Sequence, residues 1–173
     1  NHQVSVMGGS EKTQFNMSVG YFKEQGIISN QDYERFTGRL NLDHRISKTF
    51  KVGMSTFISI SEQNWGSDAT MGEAVNNNPL GMPYFVEEGE VSGINFLPIA
   101  DGIRTNPYNE LVDGAMIDER DFTRIFSSLY LEANIIDGLK YKLLFGPDLR
   151  YRKQGVFQGS ETNARRGADP YAR

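Results

Sequence analysis

The sequence predicts an all-β protein whose antiparallel strands run up and down as part of a large transmembrane β-barrel. Three observations carry that prediction. Apolar and polar residues alternate with period two over long stretches, as they do where the two faces of a strand meet different surroundings. Large aromatics recur near the ends of those stretches: Phe15, Tyr21, Phe36, Phe50, Tyr141 and Tyr151. The connections alternate short with long, and a soluble meander has no reason to sort its loops in this way, whereas a membrane barrel has.

In chain order, a weaker first strand covers Gln3 to Gly9, with Val4 and Val6 on one face. Ser10-Glu11-Lys12-Thr13 forms a short turn. Phe15, Met17, Val19 and Tyr21 then alternate with Asn16, Ser18 and Gly20. Residues 26–32 make a longer loop. Phe36, Gly38, Leu40 and Leu42 alternate with Thr37, Arg39, Asn41 and Asp43, and a short turn over 45–49 follows. Phe50, Val52, Met54, Thr56, Ile58 and Ile60 alternate with Lys51, Gly53, Ser55, Phe57, Ser59 and Ser61. Residues 62–121 form a long excursion broken by Asn76-Asn77-Asn78-Pro79, Gly81-Met82-Pro83 and Asn106-Pro107, with a helical turn expected around Glu73-Ala74-Val75. Ile125, Leu129, Leu131, Ala133 and Ile135 mark the next strand, Asp137-Gly138 a tight hairpin turn, and Tyr141 to Arg150 the strand after it. Beyond Arg152 the chain turns rich in Gly, Ser and Asn. The expectation is about six strands, several reaching the ~9–11 residues that a tilted membrane strand needs.

Composition narrows the function classes. A net charge of −4 disfavours a nucleic-acid partner. The absence of cysteine removes disulfides, thiolate metal sites and Cys nucleophiles together. The 11 Phe, 8 Tyr and 18 Gly favour a β protein. No apolar run approaches the ~18 residues of a membrane helix. The 173 residues begin at Asn1 without a signal segment, and the expectation is an internal piece of a longer protein.

Alternation alone leaves two readings open. In a barrel the apolar side of each strand faces lipid, and the polar side lines a wet lumen. That lumen side would include Arg39, Asn41, Asp43, Lys51, Glu132, Lys142 and Arg150, together with Asn16, Ser18 and Ser55. In a soluble β-sandwich that binds carbohydrate, the side carrying Leu40, Leu42, Val52, Met54 and Ile58 would pack against a second sheet. Aromatics near strand ends, as in the girdles of membrane proteins, and the length of the strands favour the barrel.

Chemistry is sparse. His2 and His44 lack a third histidine or a cysteine, so no metal site is expected. Glu87, Glu88 and Glu90 crowd around Gly89 without the carboxylate separation that glycoside hydrolysis needs. Gly8-Gly9 lacks a following Lys-Ser/Thr, which excludes a phosphate-cradling loop. No acid, base or nucleophile set converges, so no catalytic residue and no cofactor are expected, and the chain is not read as an enzyme. The long loop does hold Trp65, Tyr84, Phe85 and Tyr108, whose rings could stack on sugar C–H faces, and Asn76, Asn77 and Asn78, whose amides could bond hydroxyls. Trp65, Asn76, Asn77, Tyr84 and Tyr108 are therefore the candidate substrate contacts. Packing of the loop on itself is the competing role for them.

The stretch Gln3-Val4-Ser5-Val6-Met7-Gly8-Gly9-Ser10-Glu11-Lys12-Thr13 resembles the barrel start of SusC/RagA-type TonB-linked outer-membrane proteins. The match continues in order through Ser18-Val19-Gly20-Tyr21, Glu24-Gln25-Gly26-Ile27-Ile28, Asp32-Tyr33-Glu34-Arg35-Phe36, Arg39-Leu40-Asn41-Leu42-Asp43 and Lys51-Val52-Gly53. The loop segment Asn78-Pro79-Leu80-Gly81-Met82-Pro83-Tyr84 is similar to the family too. The resemblance implies that residues 1–173 are a partial barrel domain from a barrel of roughly 22 strands, with 62–121 an extracellular loop and the plug domain absent. It implies an outer-membrane location amid lipid and import of glycan oligosaccharides or, in some members, peptides. A SusD-type surface lipoprotein is the implied partner, with energy from the TonB system through an N-terminal region not in this chain.

Overall fold

The computed structural model describes residues 1–96 and 104–173. The chain is dominated by antiparallel strands. In order they are β1 (His2–Gly9), β2 (Thr13–Gln25), β3 (Asp32–Arg45) and β4 (Phe50–Asn64), then the helix α1 (Ala69–Asn76), β5 (Tyr84–Glu87) and β6 (Glu90–Ile94), a 3-10 turn over Pro107–Leu111, β7 (Met116–Ile136), β8 (Leu139–Phe145), β9 (Asp148–Gln158) and β10 (Tyr171–Ala172). One sheet runs β1-β2-β3-β4-β7-β9-β10, with β8 also on β7; β5 and β6 form a separate two-stranded sheet among the described residues. The all-β, up-and-down expectation therefore holds.

The strands begin and end where the alternation does, with extensions. Strands β2, β3 and β4 are 13, 14 and 15 residues long, enough to cross a bilayer at a tilt. Several details differ from the sequence reading. The stretch from Tyr141 to Arg150 is two strands rather than one, parted at Gly146-Pro147, because Pro147 has no N–H to give the ladder. The Pro147 carbonyl still accepts from Ser127 N–H at 2.9 Å. Strand β9 also runs on to Gln158, past the Gly-, Ser- and Asn-rich onset read at Arg152. The loop read as 62–121 is bounded by β4 and β7 at 65–115, and its described part holds regular structure. Helix α1 stops at Asn76, ahead of Asn78-Pro79, where the residue before proline disfavours helix. The β5–β6 hairpin turns on Glu88 (φ 52°) and Gly89 (φ 88°), a two-residue turn with both φ positive, and Glu87 and Glu90 of the same acidic cluster pair across the strand ends.

The chain falls into two compact units. The first comprises Asn1–Lys23, Glu34–Glu62 and Asp121–Lys153; the second comprises Glu24–Tyr33, Gln63–Arg120 and Gln154–Arg173. The short turns at 10–12, 46–49 and 137–138 all belong to the first unit. The connections at 26–31, 65–115 and 159–170 all belong to the second. Within the first unit the turns are tied to neighbouring strands: Arg45 N–H reaches Lys12 O at 2.7 Å, and Asn134 N–H reaches Thr49 O at 2.8 Å.

The first unit has no oily interior. Among the described residues, Ala133 is the only buried hydrophobic. The apolar side of the strands is exposed where a sandwich would require it to be covered: Met17 is 48% exposed, Phe36 48%, Leu143 52% and Phe145 64%.

Candidate functional site: two sheet faces and a loop cluster

Strand pairing fixes which side chains share a face. Val4 lies opposite Val19 and Val6 opposite Met17, while Ser5 lies opposite Ser18 and Met7 opposite Asn16. On β7 and β8, Leu129 faces Phe145, Leu131 faces Leu143 and Ala133 faces Tyr141, whereas Glu132 faces Lys142 and Asn134 faces Lys140. The sheet in the first unit is thus apolar on one side and polar on the other.

The apolar face is broad. Leu42, Val52, Met54, Leu129, Leu131 and Leu143 line a shallow depression of about 360 Å³ on it. A hydroxyl pair on it, Thr56 with Ser127 at 3.0 Å, is satisfied internally, which removes the cost of leaving either group unbonded in apolar surroundings. Polar contacts border this face at both ends of the strands. Near the turns, Thr13 Oγ1 bonds His44 Nδ1 at 2.7 Å. At the other end, Tyr21 donates to Glu34 at 3.0 Å, and Lys23 pairs with the same carboxylate. Thr13 to Lys23, and Glu34 to His44, each span ~33 Å of strand, or ~23 Å at a ~45° tilt, close to the ~25 Å apolar band of membrane barrels.

The polar face is a mesh of charged and amide groups. Ser55 donates to Asn41 at 2.7 Å. Asp43 accepts from the Tyr130 hydroxyl and pairs with Lys51 at 3.6 Å. The Tyr130 ring lies over Gly53, where a Cβ would come 2.1 Å from Tyr130 Cε1; glycine is needed there for close approach. Lys51 and Lys142 sit 5.4 and 5.0 Å from the centre of that ring. Arg39 stacks on Phe57 at 5.6 Å. Further along, Asp148 takes a two-pronged contact from Arg124 at 3.0 and 2.9 Å and another from Arg150 at 2.7 Å. Asn41, Asp43, Lys51 and Arg150 therefore lie among polar and charged partners, Lys142 lies over the Tyr130 ring opposite Glu132 in the register, and Arg39 rests on an aromatic ring. Tyr130, Arg124 and Asp148, not singled out from sequence, complete the mesh; their alternation with Ile125, Leu129 and Leu149 was the signal that could have found them.

The loop candidates separate. Tyr84 and Tyr108 come together, with ring centres 5.3 Å apart and planes inclined 34°. Partial burial pushes the Tyr84 phenol above its ordinary pKa, and its hydrogen bond with Tyr108 adds to the shift. Trp65 stands apart from that pair: its indole N–H donates to Asp68 at 2.6 Å, and the Arg120 guanidinium covers its ring at 4.4 Å. Trp65 also lines a cleft of about 320 Å³ with Gln31, Tyr33 and Gln63. Asn76 and Asn77 are spent on the backbone. Asn76 bonds Gly72 O in its own helix at 2.8 Å, and Asn77 bonds Thr105 O at 2.9 Å.

A cluster that sequence reading missed holds the loop together. Asn106 donates to Pro83 O at 2.6 Å and Asn95 O at 2.9 Å, and accepts from Tyr108 N–H at 3.0 Å, which starts the 3-10 turn. Glu73 accepts from Thr105 N–H at 3.1 Å and from the Asn163 amide. The buried Glu110 accepts from Asn163 N–H, and its backbone carbonyl accepts from Asn30 at 2.8 Å. Asn106-Pro107 read as a simple breaker in sequence, yet its asparagine is almost wholly buried. Among the described residues no group of three His, Cys, Asp or Glu side chains is placed to hold a metal.

No family model matches the chain. Curated relatives do. TonB-dependent receptor P3 of Formosa agariphila is 28% identical over 166 residues, and TonB-dependent receptor P26 of the same organism is 27% identical over 164. These alignments cover 91% and 94% of this chain but 16% of each relative, so the chain spans about a sixth of their length. Among solved structures, the RagAB peptide importer in its closed-closed state superposes with a TM-score of 0.62 at 17% identity, over 90% of this chain and 18% of that one. A second structure, of the RagAB peptide transporter, gives 0.62 at 18%. The likeness shows the fold. The resemblance read from residues 2–60 holds: the homologues are named TonB-dependent receptors and the structural neighbours are structures of the RagAB importer.

Proposed function

We propose that this chain, homologous along nine-tenths of its length to TonB-dependent receptors, forms part of the barrel wall of an outer-membrane importer of nutrient oligomers. One observation carries the reading: the sheet exposes a continuous apolar face, bordered at each end by polar and aromatic contacts about one hydrocarbon thickness apart, and backs it with a charged mesh. An apolar face of this size, exposed in the sheet, calls for lipid. The mesh of Arg39, Asn41, Asp43, Lys51, Glu132, Lys142 and Arg150 then lines the aqueous interior, and the second unit, with all the long connections, is extracellular.

Glycan oligosaccharides are the first reading for the cargo, with Trp65 and the Tyr84–Tyr108 pair as stacking surfaces. Asn76 and Asn77 act as struts rather than ligands. Short peptides are the second reading, favoured by the fold shared with the RagAB peptide importer. A SusD-type lipoprotein is the proposed partner at the outer mouth; Val75, Leu80, Met82 and Val91 of the long loop, all more than 60% exposed, supply apolar surface for it. Energy from the TonB system would enter through regions outside this chain.

The test is site-directed labelling of the full-length receptor in intact cells. Phe36→Cys or Leu143→Cys should react with a lipid-soluble maleimide and resist a charged one, whereas Ser55→Cys should show the reverse. Equal labelling of both faces by the charged reagent would sink the proposal. Deleting the receptor and scoring growth on oligosaccharides against oligopeptides separates the two cargo readings.

A further inference from the structure

We propose that the polar face carries an anion-binding cleft built on Arg35 and Arg39, suited to a short oligomer bearing carboxylate or sulfate groups. The inference deepens the import reading and rests on it for the aqueous setting of this face. The cleft has a volume of about 290 Å³ and is lined by Gln3, Ser18, Gly20, Thr37, the two arginines and Phe57. Its floor needs glycine: a Cβ on Gly20 would come 2.8 Å from Thr37 Oγ1.

The two arginines differ from the other cations that the polar face holds in ion pairs. Lys51 is paired with Asp43, and Arg124 and Arg150 share Asp148. Arg35 and Arg39 have no carboxylate partner among the described residues. Each instead lies against an aromatic ring, Arg35 over Phe22 and Arg39 over Phe57, both at 5.6 Å. Such stacking fixes the guanidinium plane while leaving its N–H fork free, and that fork matches the oxygens of a carboxylate or sulfate in a two-pronged contact. Residues four apart on one strand face are separated by ~13 Å, so the pair can hold anionic groups on neighbouring units of an oligomer. Gln3, Ser18 and Thr37 add neutral groups for hydroxyls or amides.

The experiment uses the full-length receptor in nanodiscs, without an energised membrane, so transport is not required for a signal. Sulfated, uronate-containing and neutral tetrasaccharides and an acidic tetrapeptide are titrated while arginine side-chain Nε–H resonances are followed. Anionic ligands should shift the Arg35 and Arg39 signals and bind more tightly than the neutral sugar, and the four arms tell glycan from peptide and sulfate from carboxylate. The Arg35→Gln/Arg39→Gln double variant should weaken anion binding at least about tenfold, with Arg39→Lys intermediate because lysine cannot make the two-pronged contact. Neutral and anionic ligands binding alike, or a double variant that binds as well as wild type, would overturn the proposal. So would the absence of anion binding in a receptor whose Arg39→Glu variant loses thermal stability, since the arginines would then be serving an acidic partner within the protein. A Ser55→Cys variant closed to charged maleimide would instead bring down the import reading itself.

Discussion

The two units solve opposite problems with the same backbone. In the first, hydrophobic side chains point outward and only Ala133 among them is buried; in the second, the buried side chains among the described residues are polar. Ser67, Thr70, Thr105, Asn106, Asn109, Glu110, Asp118 and Thr162 are all buried, and all belong to the second unit. A strand ladder satisfies its own N–H and C=O groups and needs no side chains for that purpose. A connection as long as 65–115 has no ladder over most of its length, so its backbone groups must find partners elsewhere. Asparagine, with donors and an acceptor on a short stem, serves that need in the second unit, where the side chains of Asn30, Asn77 and Asn106 bond backbone carbonyls and that of Asn163 bonds the Glu73 carboxylate. The difference teaches that burial in this chain does not mean oil. The apolar face of the first unit needs an external solvent, and the second unit is held by hydrogen bonds.

The largest expected effect comes from charging the apolar face. Leu40→Arg or Met54→Arg in the full-length receptor should cost ~2–4 kcal/mol if these positions lie near the bilayer midplane, measured by reversible folding into lipid vesicles. Tolerance of both substitutions would break the contrast, because the face would then be wet.

The complementary test removes a strut from the second unit. Asn106→Ala would strand the Asn95 carbonyl and the Tyr108 N–H and leave the Pro83 carbonyl with the Asn95 N–H alone, with an expected cost of ~1–3 kcal/mol. Hydrogen exchange should quicken at the Tyr108 amide and across 105–115 while the strands of the first unit keep their protection. Unchanged exchange there would mean that the asparagine cluster does not hold the loop.

How much of this was legible in the sequence divides along the same line. Alternation such as Phe36-Thr37-Gly38-Arg39-Leu40-Asn41 writes the sheet and its faces directly, because period two is local. It also placed Asp43 and Lys51 on one side before any pairing was known. It did not reveal the break at Gly146-Pro147, because the alternation of Tyr141, Leu143, Phe145 and Leu149 runs straight across it. In the loop, Glu73, Thr105 and Asn163 meet although they are 90 positions apart at the extremes, and no periodicity records such a meeting. Asn76 and Asn77 looked like ligands for hydroxyls because an amide's chemistry is the same whether it bonds a sugar or a carbonyl.

Gly53 sharpens the comparison from inside the first unit. Gly53→Ala would place a methyl group against the Tyr130 ring and Asp43, and forcing that ring aside should cost ~1–3 kcal/mol. The paired Gly53→Ala/Tyr130→Ser variant restores the room and should recover most of the loss in the same folding assay. Failure to recover would place the strain against Asp43 or in the backbone and not in the ring.

The smallest effect is the most discriminating, since it concerns the same residue type as Asn106. Asn41 also makes a short hydrogen bond, from Ser55 at 2.7 Å, but both side chains are on the exposed polar face. If that face is hydrated, water replaces the lost bond, and Asn41→Ser should stay within ~0.5 kcal/mol of wild type. Asn106 is sealed from solvent, so its partners have no such substitute. The ratio of the two costs therefore reports the environment and not the bond. An Asn41→Ser penalty as large as that of Asn106→Ala, measured in the same receptor and the same lipid, would mean that the polar face is dry, and the aqueous interior on which the import reading depends would have to be abandoned.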